Sequence, residues 1–95
     1  MTKCENEKLG ISVELPELRQ RDVEAFFRAV RELQGGDINV SSPEYLGITV
    51  RAACRAGLLP GIKEVDIDDK APAAVHILAR AVNEHIAEAL RVPGE

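Results

Sequence analysis

Ser42-Pro43-Glu44-Tyr45-Leu46-Gly47-Ile48-Thr49-Val50-Arg51-Ala52-Ala53-Cys54-Arg55-Ala56-Gly57 carries the clearest start and stop signals in the chain. Ser42 can accept a hydrogen bond from an orphan amide as N-cap, Pro43 suits the first helical position, and Glu44 favours the positive end of the helix dipole. Gly57 provides a left-handed residue that closes the far end. The run therefore predicts a helix over about 43–56, with Leu46, Val50, Ala53 and Cys54 facing inward. Gly47 is costly in a helix interior, by roughly 1 kcal/mol relative to alanine, and allows a close approach by a neighbouring helix.

Working outward, the segment before it has the same period. Val23, Phe26, Phe27, Val30 and Leu33 recur at helical spacing and predict a helix over about 19–34, ended by Gly35-Gly36. Downstream, Val75, Leu78, Val82, Ile86 and Ala89 repeat at intervals of three and four, and predict a helix over about 71–91 ended by Val92-Pro93-Gly94. Asp68 or Asp69 is the expected cap of that helix, with Pro72 in its first turn. Between them, Leu58, Leu59, Ile62, Val65 and Ile67 make 58–70 a packed connection rather than a loose tether.

The N-terminal part has a different period. Ile11, Val13 and Leu15 alternate within 9–15, the pattern of a half-buried strand. A lone short strand is marginal, so it pairs with Asp37–Val40, pairs with a neighbouring chain, or extends as an arm. Residues 1–8 are expected to fray. The expected architecture is all-α: one three-helix domain spanning 1–95, with a short N-terminal strand or arm.

Composition sets the function classes that remain. In 95 residues there are 29 large apolar side chains (7 Ile, 9 Leu, 9 Val, 2 Phe, 1 Met and 1 Tyr) and 12 Ala, enough for one modest core of close-packed helices. Twelve basic against 16 acidic residues leave a net charge of −4, which disfavours non-specific nucleic-acid binding. The imbalance is uneven. Residues 19–55 carry six Arg against five acids, and the remainder carries 6 positives against 11 acids. A helix-turn-helix needs a shorter inter-helix turn than either connection here. No apolar run reaches the roughly 18 residues of a membrane span, and the polar, mixed-charge start does not read as a signal peptide. A reducing cytoplasmic setting is therefore expected, with Cys4 and Cys54 as thiols.

The candidate chemistry is sparse. Asp66, Asp68 and Asp69 are spaced like the start of a calcium loop, but the sixth and twelfth positions are Ala71 and Ile77 where glycine and glutamate are required. His76 and His85 lie nine residues apart, on opposite sides of one helix, so they do not form a metal pair. Cys54, among Ala52, Ala53 and Ala56, reads as a small core residue rather than a thiolate. No catalytic, metal or cofactor site is expected. The N-terminal strand edge and the slim, alanine-rich last helix are the features that invite a partner.

A longer pattern lies in the second half of the chain. Val50-Arg51-Ala52-Ala53-Cys54-Arg55-Ala56-Gly57-Leu58-Leu59 is followed by acidic Val65-Asp66-Ile67-Asp68-Asp69. Ala71-Pro72-Ala73-Ala74-Val75, then Asn83-Glu84-His85-Ile86-Ala87-Glu88-Ala89-Leu90 and Val92-Pro93-Gly94-Glu95, complete it. This order, over 45–95, resembles small tail-assembly chaperone-like proteins encoded beside the tail genes of long-tailed bacteriophages and prophages. The resemblance implies a non-enzymatic, self-associating protein of the host bacterial cytoplasm. Such a protein shields the helical tape-measure protein until tail-tube subunits polymerise around it. Candidate contact residues are Phe26, Phe27, Val30, Tyr45, Leu46, Leu58 and Leu59. The competing expectation is a small phage or bacterial regulator that blocks a host protein or nucleic-acid complex, its acidic loop Glu64–Asp69 mimicking a phosphate backbone.

Overall fold

The computed structural model describes residues 2–34 and 43–91. It is mostly helical, with three long helices and a small antiparallel sheet at the N-terminus. The order is β1 (Thr2–Asn6), a 3-10 turn (Glu7–Leu9), β2 (Ile11–Leu15), α1 (Gln20–Gln34), α2 (Pro43–Arg55), a 3-10 segment (Glu64–Asp69) and α3 (Pro72–Ala89). The expected stop at Gly35-Gly36, the Ser42 cap, the pairing segment 37–40 and the ending Val92-Pro93-Gly94 lie outside the described residues.

The N-terminus departs most from the sequence reading. Residues expected to fray form β1, which pairs with β2 in the register Cys4 opposite Val13 and Asn6 opposite Ile11. The turn has its own chemistry. The Asn6 side chain accepts from the Leu9 N–H at 3.1 Å, and Gly10 sits at φ 68°, ψ 28°, where a Cβ would be penalised. Leu9 thus belongs to the turn and the strand starts at Ile11. Cys4, Ile11, Val13 and Leu15 are buried on one face of the hairpin. On the other face Lys3 pairs with Glu5 at 2.9 Å.

The inner face of the hairpin packs on α3, and α2 lies between α1 and α3. In α1 the Asp22 carboxylate accepts from the Arg19 N–H at 2.9 Å, tying down the first turn, and Val23, Phe26 and Ala29 are buried. Phe27 stays at the edge of the stripe, 43% exposed. α2 contributes Val50, Ala52 and Ala53, all fully buried. The hydroxyl of buried Thr49 donates to the Tyr45 carbonyl one turn back at 3.0 Å, so its burial leaves no unsatisfied group.

The stop at Gly57 is as expected. Gly57 adopts φ 79°, its N–H donates to the Cys54 carbonyl at 3.2 Å, and the Leu58 N–H reaches the Ala53 carbonyl at 2.9 Å. These two bonds form a Schellman closure, and they drive Leu58 and Leu59 into the core. Ile67 is buried as expected of a packed connection, whereas Val65 is 73% exposed. At α3 the cap expectation fails. Ala71 holds the N-cap position without a side-chain bond, because α3 begins at Pro72 and both Asp68 and Asp69 lie upstream in the 3-10 segment. Pro72 opens α3, and its buried stripe is Ala74, Leu78, Ala79, Val82 and Ile86. Ala89, expected inside, is exposed.

Candidate functional site

The seven residues proposed from sequence as contacts separate into two groups. Phe26, Leu58 and Leu59 are 4%, 1% and 2% exposed within the chain's own core, so in this fold they present no surface to another molecule. Val30, Tyr45 and Leu46 are half-buried, and Phe27 is exposed. Helical periodicity places Phe26 and Phe27 100° apart on the same apolar side, but it cannot say which of two adjacent aromatics faces inward. The structure buries Phe26 and sets the Phe27 ring edge-on against it, with centroids 5.3 Å apart and planes at 75°. Glu24, Arg28 and Arg31 are exposed beside Phe27 on α1. Phe27 thus presents an aromatic ring packed edge-on against a buried neighbour and rimmed by charge.

A second feature was not anticipated as a site. An open cleft of about 260 Å³ lies between α2, the 3-10 segment and the start of α3. Leu46, Gly47, Ile67, Pro72 and Val75 form its apolar part, and Arg51, Asp68 and Lys70 its polar edge. The unusual glycine inside α2 was its sequence signal.

The acidic connection is used inside the chain. Arg55 donates two hydrogen bonds to the Glu64 carboxylate, at 2.8 and 3.0 Å, and lies 3.7 Å from Glu32 of α1. Arg51 binds Asp68, and the Lys63 N–H donates to Asp66 at 3.2 Å. The hydrogen bond from Arg55, reinforced by its charge, holds the Glu64 carboxyl below its usual range. Three carboxylates that were candidates for mimicry therefore fasten the 3-10 segment to α2 and to its own first turn.

The thiols and imidazoles have structural surroundings. Burial, then the charges of Glu64 and Asp66, push the Cys54 thiol up to about 11, so it stays protonated at neutral pH. Burial also raises the Cys4 thiol, and both cysteines are free. His76 is exposed. The His85 Nε2 donates to the Pro16 carbonyl at 2.6 Å, which fastens α3 to the segment after β2. That contact spans 69 positions in sequence, and no local pattern announces it.

Among the described residues, no group of three or more His, Cys, Asp or Glu side chains is placed to hold a metal ion. Nor is any described helix long and apolar enough to cross a membrane. Neither a protein-family model, nor a curated protein, nor a solved structure matches the chain.

Proposed function

We propose that this chain is a non-enzymatic tail-assembly chaperone of the host bacterial cytoplasm that binds and shields the tape-measure protein of a bacteriophage or prophage and associates with itself. The reading rests on the resemblance over 45–95, and the single structural observation that supports it is Phe27. Phe27 leaves a large aromatic ring 43% exposed on the outer face of α1. It packs edge-on against buried Phe26, with ring centroids 5.3 Å apart. Half-buried Val30 and exposed Arg31 extend the same face of α1. An apolar helix of the client can lie along that face, each contact modest and the hold coming from many copies.

The test is co-expression of the chain with a tape-measure protein encoded beside it, followed by co-purification. The wild-type chain is expected to carry the client into the soluble fraction, and Phe27→Glu to lose it while keeping its helical circular dichroism. Equal recovery of the client by Phe27→Glu overturns the assignment of the surface, and an insoluble client with the wild-type chain overturns the chaperone reading. The regulator reading loses support from the ion pairs, since Glu64 and Asp68 are occupied by Arg55 and Arg51.

A further inference from the structure

α2 contains a glycine, Gly47, for which nothing among the described residues accounts. Among the described residues the glycines with positive φ are Gly10, Gly57 and Gly61, and Gly47 is not one of them. A Cβ built on it would meet no atom within 4 Å. It therefore neither permits a turn nor admits a neighbouring element among the described residues, although glycine in a helix interior is destabilising relative to alanine. It lines the cleft together with Leu46, Ile67, Pro72 and Val75. The volume, about 260 Å³, falls below the roughly 300–1,000 Å³ of small-molecule sites and suits one bulky aliphatic side chain with a backbone close behind it. The rim carries an excess positive charge. Arg51 is neutralised by Asp68, whereas Lys70 pairs with no carboxylate among the described residues.

We propose that this cleft receives the C-terminal end of α3 from a second copy of the chain. That end presents the complementary chemistry. Glu84, Ala87 and Leu90 step by three along one exposed strip, with Glu88 beside them. Leu90 is 55% exposed, one of the large apolar side chains the fold leaves in water. Leu90 fills the cleft, the small side chain of Ala87 lies over Gly47, and Glu84 and Glu88 approach Lys70. Glu88 is available for this, since its pairing with Arg91 is a 3.5 Å surface contact on the same helix. Cleft and strip are different surfaces, so the contact is heterologous, and its repetition gives a ring or an open row rather than a two-fold dimer. This inference does not depend on the client reading.

Sedimentation of the full chain across concentration tests it. The wild-type mass is expected to rise with concentration. Gly47→Leu, which fills the cleft, and Leu90→Asp, which removes the anchor, are each expected to weaken self-association at least tenfold. Both positions face open space or solvent, and circular dichroism verifies that the variants fold. Lys70→Glu provides an independent variant at an unpaired surface charge, expected to weaken association in the same direction. An equimolar mixture of Gly47→Leu and Leu90→Asp is expected to stop at a dimer, because each retains one half of the contact. A wild-type monomer at every concentration overturns the proposal. So does association undiminished in these variants, or a mixture that remains monomeric or grows beyond a dimer.

Discussion

Two glycines with equally empty surroundings should respond in opposite directions to the same added methyl group. At both Gly10 and Gly47 a Cβ would meet nothing within 4 Å, so steric overlap contributes nothing to either substitution. The backbone alone separates them. Gly10 closes the hairpin turn at φ 68°, ψ 28°, and an L-residue in that conformation costs roughly 1–2 kcal/mol. Gly47 lies inside α2 without a positive φ, where alanine is favoured over glycine by about 0.8–1.0 kcal/mol. Gly47→Ala should therefore raise the unfolding free energy by about 1 kcal/mol, and Gly10→Ala should lower it by a similar or larger amount. For a chain of 95 residues, 1 kcal/mol corresponds to a shift in Tm of roughly 4–8 °C. Thermal melts followed at 222 nm, with urea titrations at low protein concentration, measure both changes without a contribution from association. A fall in Tm for Gly47→Ala would mean that an atom of this chain occupies the space over α2. A rise for Gly10→Ala would mean that the turn is not left-handed.

Two further outcomes follow from the ionisable groups. With the Cys54 thiol raised to about 11, only about a thousandth of it is thiolate at pH 8. In a Cys4→Ser background, alkylation by iodoacetamide should be roughly a hundredfold slower in the folded chain than in urea, where the thiol returns to its ordinary value; equal rates would remove Cys54 from its half-buried position. The Glu64 carboxyl is held below its usual range by Arg55, so its contribution to stability is present above the ordinary carboxylate range and is lost as pH falls through it and below. Amide exchange over 64–69 should accelerate on acidification, and Glu64→Gln should flatten that dependence. An identical pH profile in the variant would show that the Arg55–Glu64 contact does not hold the segment.

The parts of the fold that were legible are those in which local chemistry and packing agree. Gly57 closes α2 because its left-handed conformation and the burial of Leu58 act together, and both are visible as a glycine followed by two leucines. β1 was not legible. Lys3, Glu5 and Asn6 are poor strand formers, and Cys4 alone marks the inward face; the strand exists because Ile11, Val13 and Leu15 need a partner on their edge. The cap of α3 was misread because Pro72, with its fixed φ and missing N–H, opens the helix itself, which puts the N-cap at Ala71 and leaves Asp68 and Asp69 in the 3-10 segment. In the candidate surface, periodicity identified α1 but could not separate buried Phe26 from exposed Phe27, and it counted Leu58 and Leu59 as contacts although the turn after Gly57 directs them inward.

The uneven charge of the chain is best understood through these contacts. Along the sequence, an excess of arginine over 19–55 and an excess of acid elsewhere read mostly as solvated faces. In the fold Arg51 and Arg55 face Asp68 and Glu64, and Arg55 also approaches Glu32, so much of the asymmetry is consumed in fastening the connection before α3 to α2. Exposed pairs of this kind contribute little each, with typical values below about 1 kcal/mol. Their effect is positional: they set the 3-10 segment beside α2, which brings Ile67 under the core and forms one wall of the cleft. Other charged groups remain on the surface, among them Glu24, Arg28 and Arg31 beside Phe27, Lys70 at the rim of the cleft, and Glu84 and Glu88 on the exposed face of α3. The two proposed surfaces are separate, one around Phe27 on α1 and the other formed by the cleft and the outer strip of α3. One surface can then be titrated by mutation without disturbing the other: Phe27→Glu should leave the concentration dependence of the mass unchanged, and Leu90→Asp should leave a single chain's hold on its client intact.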